Sequence, residues 1–265
     1  MNTIQRFILS IVQGITELLP VSSSAHLILA GKAINFDIST NTTLLAILHI
    51  GTTLAIILFF RKELFKDLFT KDKLFFYFKL LLATLPTAVI GFLFEDYIAN
   101  FLRGNIIMAV SLIVVGILFI LAENIKLPSS EVSPEDVPLG KMMIVGTGQI
   151  LSLIPGVSRS GVTILTGMSV GLDKYSAFNL SFILGIPLLI GANLYLVAKG
   201  LLLANGASLE NVSLPLIETL LIVAITFTIG YVALILVKRF KRSKWLTTFG
   251  IYRILIGILI LILSI

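Results

Sequence analysis

Apolar residues run through this chain in stretches too long and continuous for surface helices of a soluble fold. Thr43–Phe60, Phe75–Phe94, Ile106–Ala122, Ser176–Val197 and Leu214–Val237 are each long enough to cross a bilayer, and Phe249–Ile265 makes a sixth. About 20 mostly apolar residues suffice for one crossing. Two further apolar regions, Ile4–Asn35 and Met142–Gly171, are broken near their middles by proline and serine. Such breaks at membrane depth are tolerated only where the backbone is buried in protein or lines a wet cavity. The pattern therefore predicts an all-α membrane protein with six spans and two interrupted helical hairpins.

The pieces recur. Leu19-Pro20-Val21-Ser22-Ser23-Ser24 resembles Ile154-Pro155-Gly156-Val157-Ser158-Arg159-Ser160, Ile90-Gly91 matches Ile229-Gly230, and Val115-Gly116-Ile117-Leu118 matches Ile256-Gly257-Ile258-Leu259. The recurrence predicts two repeats, about residues 1–125 and about residues 140–265, within one integral membrane domain spanning 1–265. Each repeat would hold one re-entrant hairpin followed by three spans. Three is odd, so the second repeat would be inserted upside down, with the two hairpin tips meeting near the midplane.

Charge agrees with this reading. Only 13% of residues are charged and 57% are hydrophobic, whereas a soluble domain carries roughly 25% charged residues. Ten of the twenty Lys and Arg fall within Arg61–Lys73 and Lys238–Lys244. By the positive-inside rule both segments are cytoplasmic, which places both termini outside. The net charge of +6 is thus spent on topology and gives no reason to expect a nucleic-acid partner. There is no cysteine, which excludes disulfides and thiolate metal sites. A cleavable leader is not expected, because Gln13 and Glu17 interrupt the first apolar run.

The two breaks carry the chemistry. Pro155-Gly156-Val157-Ser158-Arg159-Ser160-Gly161-Val162-Thr163 has the makings of an anion cradle. A half-helix beginning near Ser158 would aim free N–H groups and a positive dipole end at an anion. Arg159 can grip phosphate with two parallel hydrogen bonds, beside the hydroxyls of Ser158, Ser160 and Thr163. The plainer alternative is an arginine snorkelling to the interface with serines as caps. Ser22-Ser23-Ser24-Ala25-His26 offers a hydroxyl nucleophile and an imidazole. On a helix starting near Ser22, Ser23 and His26 share a face, and imidazole suits proton transfer. The alternative is a capping serine run and a hydrogen-bonded core histidine.

Gln13 and Glu17, four residues apart, enter the same break. Glu17 can act as a base, orient His26 or hold a divalent cation, or the pair can simply face water. His49, inside the first full span, faces either the site or a neighbouring polar group. Lys79, Glu218 and Arg253 each lie about a turn into a span and are expected to snorkel to the interface. A hydrolase explains the clustering of Ser, His, Glu and Arg. A secondary transporter or lipid flippase with re-entrant loops fits the fold equally well, and a purely structural scaffold leaves the polar groups unexplained.

Across essentially all of its length the chain resembles the undecaprenyl-pyrophosphate phosphatases of the bacitracin-resistance type. The resemblance rests on Gln13 to His26, with its Gln-x-x-x-Glu followed by Pro-Val-Ser-Ser and His, and on Pro155 to Thr163, which reads Pro-Gly-x-Ser-Arg-Ser-x-x-Thr. It implies hydrolysis of a polyprenyl pyrophosphate to the monophosphate, regenerating the lipid carrier of cell-wall glycans. It also implies a cell-membrane location with an outward-facing site, inverted repeats, a homodimer and a divalent cation, magnesium or calcium. The positions matched for function are Gln13, Glu17, Ser23, His26, Ser158, Arg159, Ser160 and Thr163; Ser24 and His49 are further candidates. Many members have two glutamates in the first signature, and this chain has Gln13 in place of the first. A cation would then rest on Glu17, or mainly on substrate phosphates, as is usual for magnesium. Whether Ser23 or His26 is the attacking group is left open by the sequence.

Overall fold

The computed structural model describes residues 2–36, 38, 41–102, 104–125, 129–203, 214–239 and 244–263. They form helices, with no strand among them. In chain order these are α1 (Thr3–Glu17), α2 (Ser23–Ala33), α3 (Thr42–Phe59), α4 (Arg61–Phe65), α5 (Lys71–Leu93), α6 (Glu95–Tyr97), α7 (Asn105–Asn124), α8 (Leu139–Gly148), α9 (Arg159–Ser169), α10 (Lys174–Leu203), α11 (Leu216–Arg239) and α12 (Trp245–Ile262). A π turn, Ile98–Leu102, follows α6, a 3₁₀ turn covers Pro134–Asp136, and a second 3₁₀ turn, Gln149–Leu153, prolongs α8. Six helices, α3, α5, α7, α10, α11 and α12, are long and apolar enough to cross a membrane, and they are the six that the hydrophobic pattern predicts.

The two interruptions fall where expected. α1 begins with a capping box between Asn2 and Gln5 and stops at Glu17, three residues before Pro20. α2 then starts from Ser22, and α9 starts from Ser158 after Pro155. Both serines hold positive φ, 76° and 73°, a region that costs a non-glycine residue about 1–3 kcal/mol. The same strained residue type at the same place in both hairpins sharpens each break. Between them the second tip needs Gly156, φ 95°, where a Cβ would strike the Met108 carbonyl.

The spans enclose the hairpins. α12 packs along α7, α11 along α3 and α1, α10 along α3 and α9, and α5 along α8. α7 and α12 approach so closely that a Cβ on Gly116 would lie 2.7 Å from the Gly250 carbonyl, and one on Gly250 2.6 Å from the Gly116 carbonyl. Small residues allow such approaches between membrane helices. Aromatic side chains fill the middle: Phe60, Phe76, Phe119 and Phe182 are buried. Phe78, Leu81, Leu85 and Phe92 on α5, with Ile217 and Leu220 on α11, point outward, forming the apolar exterior that lipid requires.

Three charged residues expected to snorkel are instead turned inward. Lys79 is buried and donates to the carbonyls of Glu135 and Val137 at 2.7 and 2.9 Å. Glu218 pairs with Arg6 at 2.6 Å, tying α11 to α1. Arg253 is 0% exposed. The physical reason is common to Lys79 and Arg253. Short turns and broken helices leave carbonyls without intrahelical partners, and a buried cation beside them satisfies those carbonyls and is itself solvated by them.

Candidate active site

Glu17 is the centre of the polar cluster. It ends α1 and is buried, and both carboxylate oxygens are engaged. Oε2 accepts the Ser23 hydroxyl at 2.5 Å, and Oε1 accepts Arg159 Nη2 at 3.1 Å. The first residue of α2 and the first residue of α9, 136 positions apart by their numbers, thus meet on one carboxylate. Gln13 Nε2 lies 3.4 Å from Oε2, and His49 Nε2 lies 3.8 Å from the same oxygen.

Arg159 is shaped by α10. Its Nη1 donates to the Ser181 carbonyl at 3.3 Å, its guanidinium lies 5.8 Å from the centre of the Phe182 ring, and Gly185 leaves the space it occupies, since a Cβ there would strike Nη1. The predicted hydroxyls around it divide into two kinds. Ser158 Oγ accepts the Gly161 N–H at 3.2 Å and lies 3.3 Å from Ser160 Oγ. Thr163 is buried and holds the Arg159 carbonyl at 2.8 Å and the Ser181 hydroxyl at 2.6 Å, so it braces α9 against α10. In the first hairpin Ser24 is exposed, with its Oγ 3.2 Å from Ser22 Oγ, repeating the Ser158–Ser160 pairing.

His26 sits differently from the expected arrangement. Nδ1 lies 2.8 Å from the Ser22 carbonyl, and Nε2 lies 2.7 Å from the Tyr252 hydroxyl. A carbonyl only accepts, so Nδ1 carries the hydrogen, and neutral Nε2 accepts from Tyr252. The rings stack with centroids 5.6 Å apart. His26 therefore has both ring nitrogens engaged away from Glu17, and the histidine facing Glu17 is His49. His49 Nδ1 donates to the Leu45 carbonyl at 2.7 Å, which leaves Nε2 as the atom turned to the carboxylate.

Tyr252 is not singled out by the sequence, and Arg253, expected at the interface, lies instead at the site. Arg253 donates to the carbonyls of Pro20 at 2.9 Å, Gly156 at 2.6 Å and Val157 at 2.9 Å. One guanidinium on α12 thus holds both hairpin tips in register. The available signal was a Tyr-Arg pair inside an apolar span, since an ionisable residue there is by default a functional hypothesis.

Among the described residues no three His, Cys, Asp or Glu cluster into a metal site. The cluster at Glu17 does present hard donors. Gln13 Oε1 is buried without a hydrogen-bond partner, on an amide whose nitrogen lies 3.4 Å from Glu17 Oε2. That donor chemistry fits a divalent cation.

Fold and site together define a polytopic α-helical membrane protein whose two broken hairpins bring a hydroxyl, a carboxylate and a guanidinium to one point, a set suited to phosphate chemistry. Residues 6–259 match the family of the bacitracin resistance protein BacA, and the chain belongs to that family. It is 33% identical to an undecaprenyl-diphosphatase of Corynebacterium glutamicum, over 98% of this chain and 90% of that one. It is 34% identical to undecaprenyl-diphosphatase 1 of Shouchella clausii, over 99% and 96%, and 34% identical to an undecaprenyl-diphosphatase of Acetivibrio thermocellus, over 99% and 97%.

Proposed function

We propose that this protein hydrolyses undecaprenyl pyrophosphate to undecaprenyl phosphate and inorganic phosphate, recycling the lipid carrier of cell-wall glycan synthesis. The observation that carries the reading is the meeting of Ser23, Glu17 and Arg159 on one carboxylate. At rest Arg159 is neutralised by Glu17. An arriving pyrophosphate competes for the guanidinium, and Arg159, with the N–H groups at the start of α9, then holds the phosphates and the charge that grows in the transition state. Glu17, released from Arg159, is free to take the Ser23 proton. Ser23 Oγ attacks the terminal phosphorus, the bond from that phosphorus to the bridging oxygen breaks, and the prenyl monophosphate leaves. Water then attacks the phosphoserine phosphorus, the bond to Ser23 Oγ breaks, Oγ takes back the proton held by Glu17, and phosphate leaves as the proton lost by the water passes to His26. His26, held by Ser22 and Tyr252, serves proton movement in the second step. Glu17 and the substrate oxygens would hold a divalent cation, with Gln13 beside them, and the ion would neutralise further charge on the phosphates.

The same proposal places the protein in the cell membrane with Arg61–Lys73 and Lys238–Lys244 cytoplasmic, the site open to the outside, and two chains forming a homodimer, as the resemblance implies. Inverted repeats are supported by the packing. Exchanging α1 with α8, α3 with α10, α5 with α11 and α7 with α12 turns the α1–α11 and α3–α11 contacts into α8–α5 and α10–α5, and maps α3–α10 and α7–α12 onto themselves. The close contact of Gly116 with Gly250 has a counterpart in Gly257 against the Ala109 carbonyl. A transporter or flippase would need binding groups here but no nucleophile seated on a base. The test is phosphate release from a C55 pyrophosphate by purified protein in detergent, with and without chelator. Release without any membrane gradient is expected. Lipid movement across vesicles with no phosphate released under any divalent ion would return the carrier reading.

A further inference from the structure

The hydrolysis scheme makes no use of the pair His49–Glu17. His49 Nδ1 donates to the Leu45 carbonyl, so in the neutral ring Nε2 presents a lone pair. That lone pair faces Glu17 Oε2 at 3.8 Å, too long for a hydrogen bond. Two electron-rich atoms at that spacing call for a positive centre between them. Bonds of about 2.0–2.2 Å from one ion to an imidazole nitrogen and to a carboxylate oxygen span that separation. A ligating histidine ordinarily donates its other ring N–H to a carbonyl or carboxylate, as His49 does. Gln13 Oε1 is buried and without a partner, and its amide nitrogen lies 3.4 Å from the same Glu17 oxygen; turning that amide over presents the oxygen to the ion in place of the nitrogen. Arg159 occupies Oε1 of Glu17, whereas Oε2, which accepts the Ser23 hydroxyl at 2.5 Å, keeps a further lone pair for the ion.

We propose that His49 is a metal ligand, and that this chain builds its cation site from His49 Nε2, Glu17 Oε2 and Gln13 Oε1 in place of a second carboxylate. A nitrogen-containing set selects a transition ion such as Mn²⁺ over Ca²⁺, which takes oxygen alone. The inference deepens the phosphatase reading and rests on it only for the location of the site.

Mn²⁺ alone is the probe. Purified protein stripped of metal and free of substrate is expected to bind one Mn²⁺ per chain, more tightly than Ca²⁺. Pulsed electron paramagnetic resonance should show coupling of the bound Mn²⁺ to an imidazole ¹⁴N. His49→Gln should remove that coupling and weaken Mn²⁺ at least about tenfold, whereas His26→Gln should keep both. The inference is overturned if Mn²⁺ does not bind without substrate, if it binds with no ¹⁴N coupling, or if the coupling survives His49→Gln. Phosphate release from C55 pyrophosphate, measured on the same preparations, reports separately on the phosphatase reading. A protein that releases phosphate yet fails the Mn²⁺ test loses only this ligand assignment.

Discussion

Arg253 offers the sharpest test of how the site is assembled. Its guanidinium donates to three carbonyls, one on the first hairpin tip and two on the second, and Phe119 lies beneath it with the ring centre 5.5 Å away. Replacement by methionine keeps the apolar stem and removes every donor. Three buried carbonyls then lose a partner, at about 1–3 kcal/mol each. Against that, the mutation relieves the burial of a cation, which costs several kcal/mol after relaxation, and of an Nε that has no acceptor. The two effects largely offset, so we expect Arg253→Met to insert and fold, with about 1–3 kcal/mol lost. Activity should suffer far more. The meeting of Ser23, Glu17 and Arg159 depends on the relative placement of the two tips, and displacement by about 1 Å costs on the order of 10²-fold in rate. Arg253→Lys, which can bridge fewer of the three carbonyls, should fall between. The assay is phosphate release beside thermal unfolding in the same detergent, with a spin-label distance between cysteines placed on the two tips. Turnover by Arg253→Met within about threefold of the parent, with an unchanged tip distance, would refute the clamp.

Ser23→Ala and Glu17→Gln should each lower turnover by about 10²–10⁴-fold, measured as initial phosphate release at saturating substrate. Arg159→Lys keeps the charge but loses the planar fork, so it should still lose most activity and raise KM, which a substrate titration reads. Tyr252→Phe removes the donor to His26 Nε2 and should slow turnover about tenfold with KM unchanged, and that effect should vanish in a His26→Ala background, as a double-mutant cycle shows. Cysteines placed at Lys66 and Lys244, clean reporters because the chain has none of its own, should resist impermeant reagent in intact cells; labelling from outside would invert the topology.

The spans and breaks were legible because membrane helices announce themselves in a single dimension. Twenty apolar residues need no partner to be recognised, and a proline followed by serines within such a run marks an interruption wherever the rest of the chain lies. The residues at the breaks were legible for the same reason, since Arg159, Glu17 and Ser23 are polar where polarity is costly. What pairs with what was not. Ser23 and His26 share a helix face, which points to the two side chains working together beside Glu17. The unwound Ser22, with its positive φ, instead leaves a carbonyl that captures Nδ1, and α12 brings Tyr252 to the other nitrogen. Lys79, Glu218 and Arg253 were read as snorkelling because the interface is the nearest solvent along one helix. Their actual partners are carbonyls and a guanidinium from segments 56 to 233 residues distant, which no local pattern encodes.

The position of Arg253 also sets an order of events in biosynthesis. α12 follows every other described span in the chain, so Ser23, Glu17 and Arg159 are all synthesised before the residue that brings their two tips into register. A nascent chain would carry all three groups and have no fixed meeting point for them until α12 slides in beside α7 on its glycine contacts.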